Sequence, residues 1–127
     1  KLLRLKNLRL AGCRKLKSLA GLKYSEELES LIIQGCPIGT IDDLRFLERL
    51  RSLVIDDCRN IETIRPIEAL SSLEWLVISG ATKVQDGNLD FIRLLPALKS
   101  FSARNFKHYN PSVKYLAKWI EDKSNSV

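Results

Sequence analysis

The chain has one histidine, no methionine and only three cysteines among its 127 residues. A lone imidazole, His108, excludes a multi-histidine metal site and leaves one candidate for any catalytic triad. Cys13, Cys36 and Cys58 stand 23 and 22 residues apart, spacings that match no zinc-ligand pattern. Their odd number prevents complete internal pairing. We therefore expect buried, free, metal-free thiols, a reducing compartment and hence a cytoplasmic protein. No apolar run has the length of a membrane span, so no membrane partner is expected. A glycine-rich phosphate cradle is also missing, since Gly12 and Gly35 each precede a cysteine in what read as strand-end turns. Acid pairs do occur, at Asp42-Asp43 and Asp56-Asp57. The first of these suits the opening of a return helix, where the dipole favours acids. With no catalytic set assembled, we expect no enzymatic reaction, no cofactor and no small-molecule substrate.

What the chain does contain is a repeat. The segments Leu5–Cys13, Leu28–Cys36, Leu50–Cys58 and Leu73–Ala81 carry apolar residues at their first, fourth and sixth positions, at a spacing of 22 to 25 residues. A weaker fifth copy runs from Leu98 through Phe101 and Ala103 to Phe106. Residues two apart, such as Leu53 and Ile55, share one face of a strand. A single unit cannot bury that face, but stacked copies can. Strands are therefore predicted at residues 8–10, 31–33, 53–55, 76–78 and 100–103, forming one parallel sheet in sequence order. Ile41, Leu44 and Leu47, then Ile61, Ile64, Ile67 and Leu70, would line the opposite wall of the core. Pro66 fits the first turn of a return helix. Asn88 is expected to cap a longer return segment that starts at Leu89 and ends at Pro96.

This pattern resembles the leucine-rich repeat family, with Cys at the ninth position of three copies. The resemblance implies an α/β solenoid with a parallel sheet on the concave face, short helices on the convex face and a C-terminal capping helix. Residues 1–109 would form about five repeats and residues 110–122 the capping helix of the same domain. Lys1 occupies the position of Phe46, inside a repeat, and the chain lacks methionine. We accordingly expect truncation at the N-terminus. Asn110 reads as the N-cap of the last helix and Pro111 as its first residue. Val113, Leu116, Ala117 and Ile120 share one face and Tyr115 and Trp119 flank it, while the residues from Glu121 onward should fray.

Strand alternation then locates a candidate binding surface. If Leu31 and Ile33 face inward, Ser30, Ile32 and Gln34 face outward. The same phase exposes Asn7, Arg9 and Ala11; Ser52, Val54 and Asp56; Trp75, Val77 and Ser79; and Ser100, Ser102 and Arg104. Ile32, Val54 and Val77 form an apolar strip beside Trp75, bordered by Arg9, Gln34, Asp56 and Arg104. An apolar strip with a polar border is the anatomy of a protein interface, and tryptophan is enriched at binding hot spots.

Charge adds a second pattern. Residues 1–25 hold eight basic residues and no acids, residues 26–97 seven basic and thirteen acidic, and residues 98–127 carry a net +4. A nucleic-acid binder would carry one unbroken basic stripe, whereas basic ends around an acidic middle suit steering of a protein partner. The elements Thr82–Leu89, Leu95–Lys99 and Lys107-His108-Tyr109 are similar to the end of certain bacterial leucine-rich repeat proteins. Some of those look like immunity partners of secreted toxins. The motif itself reads as structural, so that resemblance implies a bacterial source more than an activity, with plant immune receptors, which share the Gly-Cys repeat style, as the second source; a toxin-neutralising role is the specific expectation. The alternatives are a scaffold or recognition fragment of a larger receptor or regulator and, last, nucleic-acid binding through the basic first repeat.

Overall fold

The computed structural model describes residues 4–125, so residues 1–3, 126 and 127 lie outside the described residues. Seven strands run in chain order: β1 (Asn7–Ala11), β2 (Ser30–Gln34), β3 (Ser52–Asp56), β4 (Arg59–Ile61), β5 (Trp75–Ser79), β6 (Thr82–Val84) and β7 (Ser100–Ala103). The expected parallel sheet is present, with strand order β1-β2-β3-β5-β7. Its register joins Leu8, Leu31, Leu53, Leu76 and Phe101 in one inward row, and Leu10, Ile33, Ile55, Ile78 and Ala103 in the next. Stacking these rows puts Leu31, Ile33, Leu53 and Ile55 wholly out of contact with solvent.

The other wall of the core is built as the periodicity predicts. Ile41, Leu44, Leu47, Ile61, Ile64, Ile67 and Leu70 are fully buried. The return segments are five-residue 3-10 turns at Ala20–Tyr24, Asp42–Phe46, Arg65–Ala69 and Asp90–Leu94. Each is preceded by a polar side chain that accepts a hydrogen bond two residues on: Ser18, Thr40, Thr63 and Asn88. Such local bonds favour turn initiation. Pro66 lies in the first turn of its segment, as expected. The segment after Asn88 is no longer than the others. The extra residues of that repeat are absorbed by β6 and the turn that follows it, where Gly87 N–H bonds to Val84 O.

A second sheet, β4 paired parallel with β6, is absent from the sequence prediction. Three-residue strands are too short to leave an alternation signal. Between them, the buried Thr82 hydroxyl accepts the Cys58 N–H at 3.0 Å.

The thiol row needs one correction. Cys36 and Cys58 are fully buried, but Cys13 is only half-buried because no described repeat covers its outer side. Cys58 Sγ lies 3.4 Å from Ile33 O and 3.3 Å from Asp56 O, and Cys36 Sγ lies 3.7 Å from Leu10 O and 3.4 Å from Gln34 O. Each thiol thus bridges its own strand to the preceding one. Burial pushes both thiols above their ordinary pKa, which keeps them protonated donors.

The left-handed turn before the ninth position is taken by Gly12, Gly35 and Gly80, but by Asp57 in the third repeat, with φ of 52°. Asp57 is tolerated there because its Oδ1 accepts the Ala81 N–H at 2.7 Å. A Cβ on Gly80 would lie 2.0 Å from that same carboxylate oxygen.

The C-terminal helix α1 (Val113–Asn125) packs on β7 and on the last 3-10 turn. Val113, Leu116 and Ile120 are buried, Ala117 and Trp119 half-buried and Tyr115 exposed. Its start differs from the prediction. Asn110 is held extended, its N–H bonded to Gly87 O and its carbonyl to Leu89 N–H. Ser112 is the N-cap, accepting the Tyr115 N–H, and Asn105 Oδ1 accepts the Val113 N–H. The end differs too. Helix continues from Glu121 to Asn125, where Lys123 donates to Leu95 O and Lys118 pairs with Asp122.

Because α1 closes the last repeat, Leu116→Asp should cost at least about 3 kcal/mol of stability, a charge having been placed against an apolar wall. Thermal melting of the variant checks this, and an unchanged midpoint would refute the capping role.

Candidate functional site

The outward residues of the five long strands fall into three rows across the sheet. The middle row is Arg9, Ile32, Val54, Val77 and Ser102. Ile32, Val54 and Val77 are half-buried by their lateral neighbours, with one side of each open to solvent. The second row is Asn7, Ser30, Ser52, Trp75 and Ser100. Trp75 is 44% exposed. Ser52 and Ser100 flank it on the neighbouring strands, leaving part of the indole open to solvent.

The third row is polar and internally bonded. Arg9 Nη2 donates to Gln34 Oε1 at 2.6 Å, Gln34 Nε2 donates to Asp56 Oδ2 at 3.2 Å, and Ser79 Oγ donates to Asp56 Oδ1 at 2.9 Å. One chain of side-chain bonds therefore crosses four strands. Of the eight residues singled out from the sequence, seven lie together here: Arg9, Ile32, Gln34, Val54, Asp56, Trp75 and Val77. Arg104 follows β7 and turns its guanidinium toward the Phe106 ring, 5.3 Å away, at the end of the sheet. It borders the strip but does not join the polar row.

A further charged row was not foreseen. The residue before each long strand is Lys6, Glu29, Arg51, Glu74 and Lys99, so its sign alternates along the stack. Glu74 sits at the centre of the best-formed group, with Oε2 3.0 Å from Arg51 Nε and Oε1 3.4 Å from Lys99 Nζ. The Arg51 hydrogen bond, helped by Lys99, holds the Glu74 carboxyl below its ordinary value. The Arg51 guanidinium is raised in return, mainly by Glu74. Reading one repeat position down the chain, rather than one segment along it, would have revealed this alternation.

His108 and Tyr109 have structural partners. His108 Nε2 is 2.8 Å from Val84 O, and the Tyr109 hydroxyl accepts the Val84 N–H at 2.8 Å. The two side chains thus satisfy both peptide groups of a buried strand residue. Burial raises the Tyr109 phenol above its ordinary pKa. Among the described residues no group of three or more His, Cys, Asp and Glu side chains is arranged to hold a metal ion. No helix among them is long and apolar enough to cross a membrane.

The chain is similar in structure to an internalin from Listeria monocytogenes, with a TM-score of 0.60 and 21% sequence identity over 72% of this chain. It spans 28% of that internalin chain. The shared feature is the fold, a leucine-rich repeat solenoid. No protein-family model and no curated protein sequence matches the chain.

The Glu74 group generates a pH prediction. A carboxyl depressed in the folded state adds stability above its unfolded pKa, near 4.5, and loses it as pH falls through the folded value. Glu74→Gln should therefore lower the melting temperature at neutral pH, and the gap from the parent should close below pH 4.5. Melting curves across that range test it; a gap independent of pH would show that Glu74 acts by packing alone.

Proposed function

We propose that this chain is a non-enzymatic recognition module that binds a partner protein on its concave sheet. The observation that carries this reading is the half-exposed strip of Ile32, Val54 and Val77 with the partly exposed indole of Trp75 beside it. Apolar surface of this kind, with a polar margin, is what a protein partner desolvates on binding. The Arg9–Gln34–Asp56–Ser79 chain supplies that margin already ordered. Holding polar groups in place before binding reduces the entropy lost on association. Surface depressions lie elsewhere, for example between Tyr24 and Phe46, so the strip suits a broad partner surface better than a small molecule.

The specific role we favour is that of a cytoplasmic, toxin-neutralising immunity protein of bacterial type, the bacterial source being suggested by the terminal elements Thr82–Leu89, Leu95–Lys99 and Lys107-His108-Tyr109, whose own task is structural; its domain is a solenoid over 1–109 with a capping helix over 110–122. A scaffold or recognition module within a larger receptor or regulator is the second reading.

Trp75→Ala should weaken binding of the partner by at least about 2 kcal/mol, as at other aromatic hot spots, with little change in fold stability. Substituting Glu62 or Glu68, exposed on the return side, should leave binding unchanged. The partner is obtained by pull-down at moderate salt and titrated calorimetrically against each variant. Affinity indifferent to Trp75 but dependent on Lys15, Lys17 and salt would move the site to the basic end and favour nucleic acid.

A further inference from the structure

On the flank where the long strands end, the second repeat is shorter than its neighbours. Five positions separate Cys36 from Ile41, where six separate Cys13 from Leu19 and Cys58 from Ile64. Pro37 also stands where the first and third repeats carry Arg14 and Arg59. The second repeat is therefore recessed, and a cleft of about 480 Å³ opens over Gly35 and Pro37. Arg14 and Lys17 form one wall, Asp57 and Arg59 the other.

The charges of this cleft are unbalanced. Three cations and one acid leave it with a charge of +2. Among the described residues Arg14, Lys17 and Arg59 take part in no ion pair. The single acid is drawn away from them. Asp57 accepts the Ala81 N–H at 2.7 Å and lies over Gly80, on the side of the fourth repeat. Arg59 is held there at a cost. Its φ of 61° lies in the left-handed region, which glycine occupies far more readily than a long side chain does. The Arg59 N–H bonds to Ala81 O at 2.8 Å, a bond that glycine would make equally well. The fold alone gives no reason for an arginine at this position.

We infer that this cleft binds a phosphomonoester group. Such a group carries about two negative charges at neutral pH, which the cleft balances, whereas a single carboxylate leaves one cation unanswered. The planar forks of Arg14 and Arg59 suit phosphate oxygens, to which guanidinium groups donate paired bonds. No aromatic side chain lines the cleft, so it offers a nucleobase no surface for stacking. Gly35 and Asp57 directly follow Gln34 and Asp56 of the polar row. A phosphorylated side chain of a protein lying on the sheet can therefore reach the cleft over the rim, and a small phosphorylated molecule presents the same chemistry. The site stands apart from the concave strip and does not depend on it.

The probes are N-acetyl-phosphoserine amide and inorganic phosphate, titrated into the whole chain at low salt and followed by phosphorus and amide NMR. Saturable binding is expected, with the largest amide shifts at Gly35 and Asp57. Preference for the phosphoserine derivative assigns the site to a phosphorylated protein; equal or tighter binding of inorganic phosphate assigns it to a small phosphate. Arg14→Gln and Arg59→Gly should each weaken binding at least about tenfold. Arg59→Gly should do so with the melting temperature unchanged or raised, because glycine takes this φ without strain. Loss of binding without loss of stability separates recognition from a structural role. Asp57→Asn keeps an oxygen for the Ala81 N–H and removes the only acid, so it should tighten binding. Trp75→Ala should leave phosphoserine affinity unchanged, so the two sites fail independently. Absence of saturation, affinity indifferent to Arg14 and Arg59, or equal binding of N-acetyl-glutamate amide would overturn the inference. So would displacement of the probe by a single-stranded oligonucleotide with a steep salt dependence, which would assign the flank to nucleic acid.

Discussion

Everything in this molecule depends on one constraint: a repeat can bury its inward leucines only against the repeats on either side. The five long strands are in register, so Leu31, Leu53 and Leu76 abut one another across the sheet. Burial is complete in the middle of the stack and incomplete at its start. Stability in such an array is a sum of repeats and interfaces, with no closed core that a single element could complete. The polar details follow the same rule. Each buried thiol, and the Thr82 hydroxyl, bonds across to a neighbouring repeat where the backbone leaves the sheet.

In-register stacking also turns single residues into rows. The outward positions become an apolar strip, a serine row broken by Trp75, and a bonded chain from Arg9 to Ser79. Positions just outside the strands become alternating charges, of which the Arg51–Glu74–Lys99 group is the closest. Neighbouring strands bring like positions within about 5 Å of one another, so equal charges at one position would repel and alternation removes that cost. The concave strip is a consequence of that geometry on its outward face.

Closure at the other end draws on a different set of residues. Val84 lies at the last position of the short sheet, and both its peptide groups are taken by His108 and Tyr109. Gly87 allows that segment to approach, since a Cβ there would lie 2.5 Å from the His108 carbonyl. With Phe106 stacked edge-on against Tyr109, this group joins the final repeat to the chain that leads into α1. The only imidazole in the chain thus has an architectural task.

The sequence by itself determined the architecture, because a period of 22 to 25 residues with paired apolar positions has one economical solution, the stacked parallel sheet. It determined which side chains face outward as well, since strand alternation leaves no freedom once Leu53 and Ile55 point inward. What it could not specify was anything set by contacts between repeats. The sheet of β4 and β6 is too short for a periodic signal. The true N-cap, Ser112, depended on Asn110 being held by Gly87 and Leu89. The partial exposure of Cys13 depended on how many neighbours flank it. The same holds for the reach of Arg9 to Gln34 and the turning of Arg104 toward Phe106. A linear pattern records the period and phase of a chain; only the assembled stack decides which neighbour a long side chain meets.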